Sequence, residues 1–311
     1  MSLVAHWEHE YDKVKVRLHG LFTRLEMSWK KLVSELEPEE FQAIVALLQR
    51  GHDQAQYVLK HGDLPDDQPS VPWELSHGLS ILHIGNASPL PQSVEELQTR
   101  VLKDGSLLGC RKWELLDLLW SEALLKWIEN LRHHAPFATN PALMRMDSDV
   151  VLAIAGDWGT GPFDSHAPAV AVANQMQLAQ ADFTIHLGDV YYAGTHSQED
   201  VDMVGWPMGK HGSFTLNSNH EMYSGAHGYF KELAKRFPAQ QGTSYFALYN
   251  DDWLVVGLDT AYASDAINLY MDGTLNHQQI DWMKGLPLRK KIMVLSHHQG
   301  FDISGHNKTA L

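Results

Sequence analysis

The spacing of apolar residues changes character near the middle of the chain. In the first part it is helical: Leu21, Leu25, Leu32, Val33 and Leu36 recur at intervals close to a helical turn, which predicts a long amphipathic helix. Pro38 opens a second, continuing as EEFQAIVALLQRGHDQAQYVLKHG, because a proline in the first turn gives up an N–H that the helix would leave unpaired anyway. Gly62 is its expected stop. Residues 63–91 are rich in Pro, Gly, Ser and Asp and read as a long loop. A helix pair is expected beyond it, SVEELQTRVL and then KWELLDLLWSEALLKWIENLRHH, with Ser93 and Glu96 at capping-box spacing in the first. The Trp and Leu stripe over 113–128 reads as core or as a contact with another domain. Residues 1–136 are therefore expected to form an all-α domain. His6 and His9 in HWEHE lack the HExxH spacing of a helical metal site and read as exposed or packing histidines.

The segment FATNPALMRMDSD, 137–149, reads as a linker, and the period changes after it. VVLAIAGD (150–157) and DFTIHLGD (182–189) are short apolar runs, each ending in Gly-Asp, and APAVAVANQMQLAQ (167–180) between them is helical. GYFKELAKRF (228–237) and LNHQQIDWMKGL (275–286) read as helices, TSYFALYN and DWLVVGLDT as a hairpin around Asp251, and KKIMVLSHH (290–298) as a strand running into histidines. Strands alternating with helices predict an α/β layered domain over 150–311, and in such domains ligands gather beyond the carboxyl ends of strands.

Bulk properties narrow the function classes. At 311 residues the chain fits about two domains of about 150 residues each. Its net charge of −14 speaks against broad nucleic-acid binding, which needs Lys and Arg to displace counterions. The single cysteine, Cys110, allows no intrachain disulfide. The N-terminus has no apolar signal core, and no run reaches the ~18 apolar residues of a membrane span, so a cytoplasmic protein is expected.

The candidate chemistry sits where the predicted strands end. Gly156-Asp157 and Gly188-Asp189 put a flexible turn and a hard carboxylate at two of them. The turn NSNHE adds Asn219 and His220, and VLSH adds His297. A mixed oxygen and nitrogen donor set suits Fe, Mn or Zn better than Ca. A local cation would also explain how an acidic protein attracts a phosphate.

GDWG, GDVYY, NHE and VLSHH, in that order, resemble the motifs of the calcineurin-like metallophosphoesterases over about residues 150–311. Gly159 stands where most of that superfamily has a histidine two after the first aspartate, and Tyr192 stands three after Asp189. That exchange resembles the purple acid phosphatases. The resemblance implies a β-sandwich flanked by helices and two metal ions, Fe(III) with a divalent Fe, Zn or Mn. It implies Asp157 and Tyr192 on the first ion, Asp189 bridging, and Asn219 and His297 on the second. His220 would face the phosphate and protonate the leaving group. Tyr191 is the neighbouring alternative to Tyr192, and the GDxxY register selects Tyr192; the VxxH register from Val294 selects His297 over His298. His306 follows His297 by nine residues, the offset of a substrate-facing histidine in that group; otherwise it is a polar loop residue.

The chain departs from the pattern in two places. It has no late Gly-His-x-His motif before Leu311, which predicts a sheet short of its last strands, and Ser218 replaces the glycine before Asn-His. The expected function is hydrolysis of a phosphate ester by a metal-activated water. The rivals are a non-catalytic module of the same fold, whose helical half binds a protein partner, and a phosphodiesterase, its selectivity set by loops such as 195–216.

Overall fold

A computed structural model describes residues 3–61, 71–72, 74–79, 100–101, 107–108, 118–162 and 167–300. The chain divides into two compact units, Met1–Glu129 and Asn130–Leu311. No helix among the described residues is long and apolar enough to cross a membrane.

The first unit holds α1 (Leu3–Glu35), α2 (Pro38–His61), a short α3 (74–79) and α4 (Leu119–Asn130). The break between α1 and α2 falls just before Pro38, and α2 ends one residue before Gly62, as the helix punctuation predicts. Trp120, Leu124, Leu125, Trp127 and Ile128 of α4 are buried, so this part of the Trp and Leu stripe is core. The unit is not all helix. Arg100–Val101 (β1) pairs antiparallel with Leu107–Leu108 (β2), inside a stretch expected to be helical up to residue 102. The Asp104-Gly105 dipeptide between them favours a tight reversal, and that local signal outweighs the helical spacing. The Ser93 and Glu96 pair lies outside the described residues.

The second unit is mixed α/β. Its elements are β3 (Ala142–Arg145), β4 (Leu152–Ala155), α5 (Pro168–Leu178), β5 (Phe183–His186), α6 (His196–Asp202), β6 (Gly212–Thr215), α7 (Asn219–Tyr223), α8 (His227–Arg236), β7 (Phe246–Tyr249), β8 (Trp253–Leu258), α9 (His277–Lys284) and β9 (Lys291–Ser296). One sheet runs β4-β5-β6, all parallel; the other runs β3-β7-β8-β9, antiparallel only between β7 and β8. The stretch expected as a linker thus supplies a strand, β3, paired with β7. Along it Ala142 is buried, Leu143 exposed, Met144 half-buried and Arg145 exposed, a half-buried alternation hidden in the sequence by flanking Pro and Asn.

Phe183 and Ile185 of β5, Phe214 of β6, Phe246 and Leu248 of β7 and Val255 of β8 meet in one core, with the Phe214 and Phe246 rings stacked at 4.3 Å. The two sheets therefore pack face to face. The alternate residues of β7 and β8, Ala247, Leu254, Val256 and Leu258, face away from that core and bury against Ile280, Trp282 and Met283 of α9. On the outer side of the three-stranded sheet, Thr184, His186, Ser213 and Thr215 are buried and paired among themselves: Thr184 with Ser213 at 2.8 Å and His186 with Thr215 at 2.9 Å. The region 195–216, expected as loop, carries α6 and β6. α6 starts at a full capping box of Thr195 and Gln198, and β6 is the Gly-Ser-Phe-Thr run, buried from Ser213 on.

Candidate functional site

Register decides what meets at the ends of the three-stranded sheet. Ala155, His186 and Thr215 are neighbours across it. The chains leaving β4, β5 and β6 therefore depart at one level and reach Asp157, Asp189 and Asn219. The departing loops stay zipped: Asp157 N–H donates to Gly188 O at 3.2 Å, Gly159 N–H to Asp189 O at 2.9 Å and Leu216 N–H to His186 O at 2.8 Å. His297 follows β9 of the other sheet, and its Nδ1 bonds Leu187 O at 3.0 Å. Gly188 allows this crossing. Its φ is +98°, and a Cβ there would lie 2.7 Å from Ser218 Cβ and 3.1 Å from His297 Nδ1.

The candidate donors form a run of neighbours. Tyr191 donates its phenol proton to Asp157 Oδ1 at 3.0 Å and lies 3.5 Å from Asp189 Oδ2. His297 Nε2 lies 3.4 Å from Asp189 Oδ1 and 2.9 Å from Asn219 Oδ1. Asn219 is oriented by its Nδ2, which donates to the Tyr223 hydroxyl at 2.9 Å. Asp189 is buried, and its Oδ1 receives no hydrogen bond among the described residues. Asp157 sits at the exposed rim.

Electrostatics treat the two carboxylates differently. Partial desolvation of its carboxyl, then the neighbouring Asp189 charge, pushes the Asp157 pKa up. Burial pushes Asp189 the same way, but the neighbouring His220 and His297 imidazoles outweigh it and hold Asp189 low. The carbonyl of Leu187 can only accept, so His297 Nδ1 carries a proton. Nε2 then faces the Asn219 amide at 2.9 Å and the Asp189 carboxylate at 3.4 Å. Carboxylate, amide and imidazole are donor types that a transition-metal cation takes. Among the described residues, however, no three His, Cys, Asp or Glu side chains are gathered closely enough to hold a metal. Asp157, Asp189 and His297 therefore do not by themselves close around a metal ion.

Two sequence expectations separate at the tyrosines. Tyr191, not Tyr192, sets its phenol against both carboxylates. The Tyr192 ring is 1% exposed, and its carbonyl accepts from His220 Nδ1 at 2.8 Å. His220 is buried, with its ring 4.4 Å from that of Tyr191. His298 has both ring nitrogens engaged, by Thr260 Oγ1 at 2.8 Å and Tyr270 O at 2.7 Å, which leaves His297 as the histidine facing the carboxylates. His306 lies outside the described residues. Sequence reasoning missed Glu221, which is buried behind Asp189 and accepts from Val190 N–H at 3.1 Å. The signal was present as Ser-x-x-Glu over Ser218 and Glu221, the spacing of a capping box.

No family model, curated protein or solved structure matches the chain.

Proposed function

We propose that the second unit is a metal-dependent phosphoesterase. The observation that carries this reading is His297 Nε2 facing Asn219 Oδ1 at 2.9 Å and Asp189 Oδ1 at 3.4 Å, a pole of unbalanced oxygen at the mouths of parallel strands. Asp157, Asp189, Asn219 and His297, with a phenol beside them, would hold the ions. Oxygen donors with one imidazole suit Fe, Mn or Zn. When bound, such ions neutralise phosphate charge and acidify water.

The chain's own residues do the rest. Asp189, tied by its backbone N–H to Ser218 Oγ at 3.1 Å, keeps a carboxylate at the centre of the set. His220 carries a proton on Nδ1 because its partner there, the Tyr192 carbonyl, can only accept. With Nδ1 engaged there, Nε2 is the ring nitrogen that would act as the acid toward a departing alkoxide. The purple-acid-phosphatase subgroup and its sandwich layering belong to the same proposal. They are supported by the GDWG, GDVYY, NHE and VLSHH order and by the two face-packed sheets with α9 on the far side of one.

The test is hydrolysis of an aryl phosphate by the full chain with Mn, Zn or Fe supplied, compared with Asp189→Asn. Asparagine tolerates the left-handed φ of +73° at this position. The variant is expected to melt within about 1 kcal/mol of wild type while losing activity about a hundredfold or more. Wild-type protein that hydrolyses nothing under any of these metals would refute the reading.

A further inference from the structure

One buried hydroxyl ties together the two loops that carry Asp189 and Asn219. Ser218 caps α7 in extended backbone, φ −131°, so the serine found where the resemblance expects glycine strains nothing. Its Oγ accepts from Asp189 N–H at 3.1 Å and from His220 N–H at 3.1 Å. Its proton goes to Glu221 Oε2. The other Glu221 oxygen accepts from Val190 N–H at 3.1 Å. A hydroxyl has two lone pairs and one proton, and here all three are used.

In an ordinary capping box the serine and the glutamate serve N–H groups at the start of their own helix. In this pair Ser218 caps its own helix through His220, and the remaining bonds reach some thirty residues back, to Asp189 and Val190. Close approach of the glutamate depends on Gly194, where a Cβ would lie 2.5 Å from Glu221 Cα. All of Ser218, Asp189, His220 and Glu221 are buried, so water cannot replace a lost partner cheaply. A glycine at 218 would leave the Asp189 and His220 N–H groups without this acceptor.

Resting on the phosphoesterase reading, we propose that Ser218 and Glu221 are a positioning pair that locks Asp189 to the Asn219–His220 turn and thereby sets the rate of hydrolysis more than the affinity for substrate. The experiment is amide hydrogen exchange resolved by residue on the full chain, alongside kinetics on an aryl phosphate. In Ser218→Ala, exchange at Asp189, Val190 and His220 is expected to quicken about tenfold or more. Ile185 in β5 and Phe214 in β6 keep their protection. The kcat falls about tenfold or more with KM within about twofold. Glu221→Gln is the second variant and decides the matter if Ser218→Ala does not fold. Its amide has one acceptor oxygen where the carboxylate has two, so either Val190 N–H loses its acceptor or an NH2 crowds Ser218 Oγ. Exchange should therefore quicken at Val190, or at Asp189 and His220, and leave Ile185 and Phe214 protected. Unchanged exchange at these amides, acceleration spread evenly over β5 and β6, or an unchanged kcat in both variants overturns the proposal. Wild-type protein without hydrolysis refutes the phosphoesterase reading instead, and the exchange pattern still decides whether the lock exists.

Discussion

Tyr191 and Tyr192 are adjacent in sequence, and the Tyr191 phenol meets the carboxylates, at 3.0 Å from Asp157 and 3.5 Å from Asp189. Motif register counts positions from Asp189 and cannot see which ring turns toward the cleft. With Fe(III) supplied to the full chain, a visible phenolate-to-iron band is expected to vanish in Tyr191→Phe and to persist in Tyr192→Phe. The reverse pattern would return the role to Tyr192. The carboxylates were legible because a Gly-Asp at a strand end is a local feature, and His297 was legible from its offset to Val294. Glu221 was not recognised as part of the site, because its partner Val190 is 31 residues away and the Ser-x-x-Glu spacing alone says nothing about a distant loop.

At the scale of elements, segments with strong local punctuation were read well, and two strands without it, β3 and β6, were not. The breaks around α2 and the β7–β8 pair around Asp251 follow from proline, glycine and turn chemistry within a few residues. By contrast β3 and β6 are four residues each. Their strand character comes from partners far along the chain, Phe246–Tyr249 for β3 and Phe183–His186 for β6. The turn after β5 concentrates the consequences. Gly188, at φ +98°, has no room for a Cβ between Ser218 and His297. Gly188→Ala is expected to cost about 2 kcal/mol or more, from the forced φ together with the displaced neighbours. A denaturant midpoint lowered with the slope unchanged would register that cost, and metal retention should fall with it. A midpoint equal to wild type would show that the turn is looser than this geometry.

Over the whole molecule, the acidic balance and the buried histidines set opposite demands on pH. The net charge of −14 keeps the surface anionic, so attraction of a phosphate has to be local. His186 is fully buried, and burial lowers its pKa from 6.5 to about 3; His77, in the other unit, is lowered to about 4 for the same reason. The unfolded chain binds these protons at higher pH than the folded one. Stability is therefore complete above about pH 6.5 and declines as the pH falls toward 3, by up to about 1.4 kcal/mol per unit for each such histidine. Melting temperatures measured across that window should drop on acidification, and the slope should flatten in His186→Gln; a flat wild-type profile would contradict the burial of neutral rings. The proposed chemistry requires a cation at the ends of β4, β5, β6 and β9. Anomalous diffraction from crystals of the full chain soaked in Mn2+ tests this most directly. It should give a peak in contact with Asp157, Asp189, Asn219 or His297, absent in Asp189→Asn, whereas a well-ordered wild-type site without a peak, or a peak elsewhere alone, would contradict the claim.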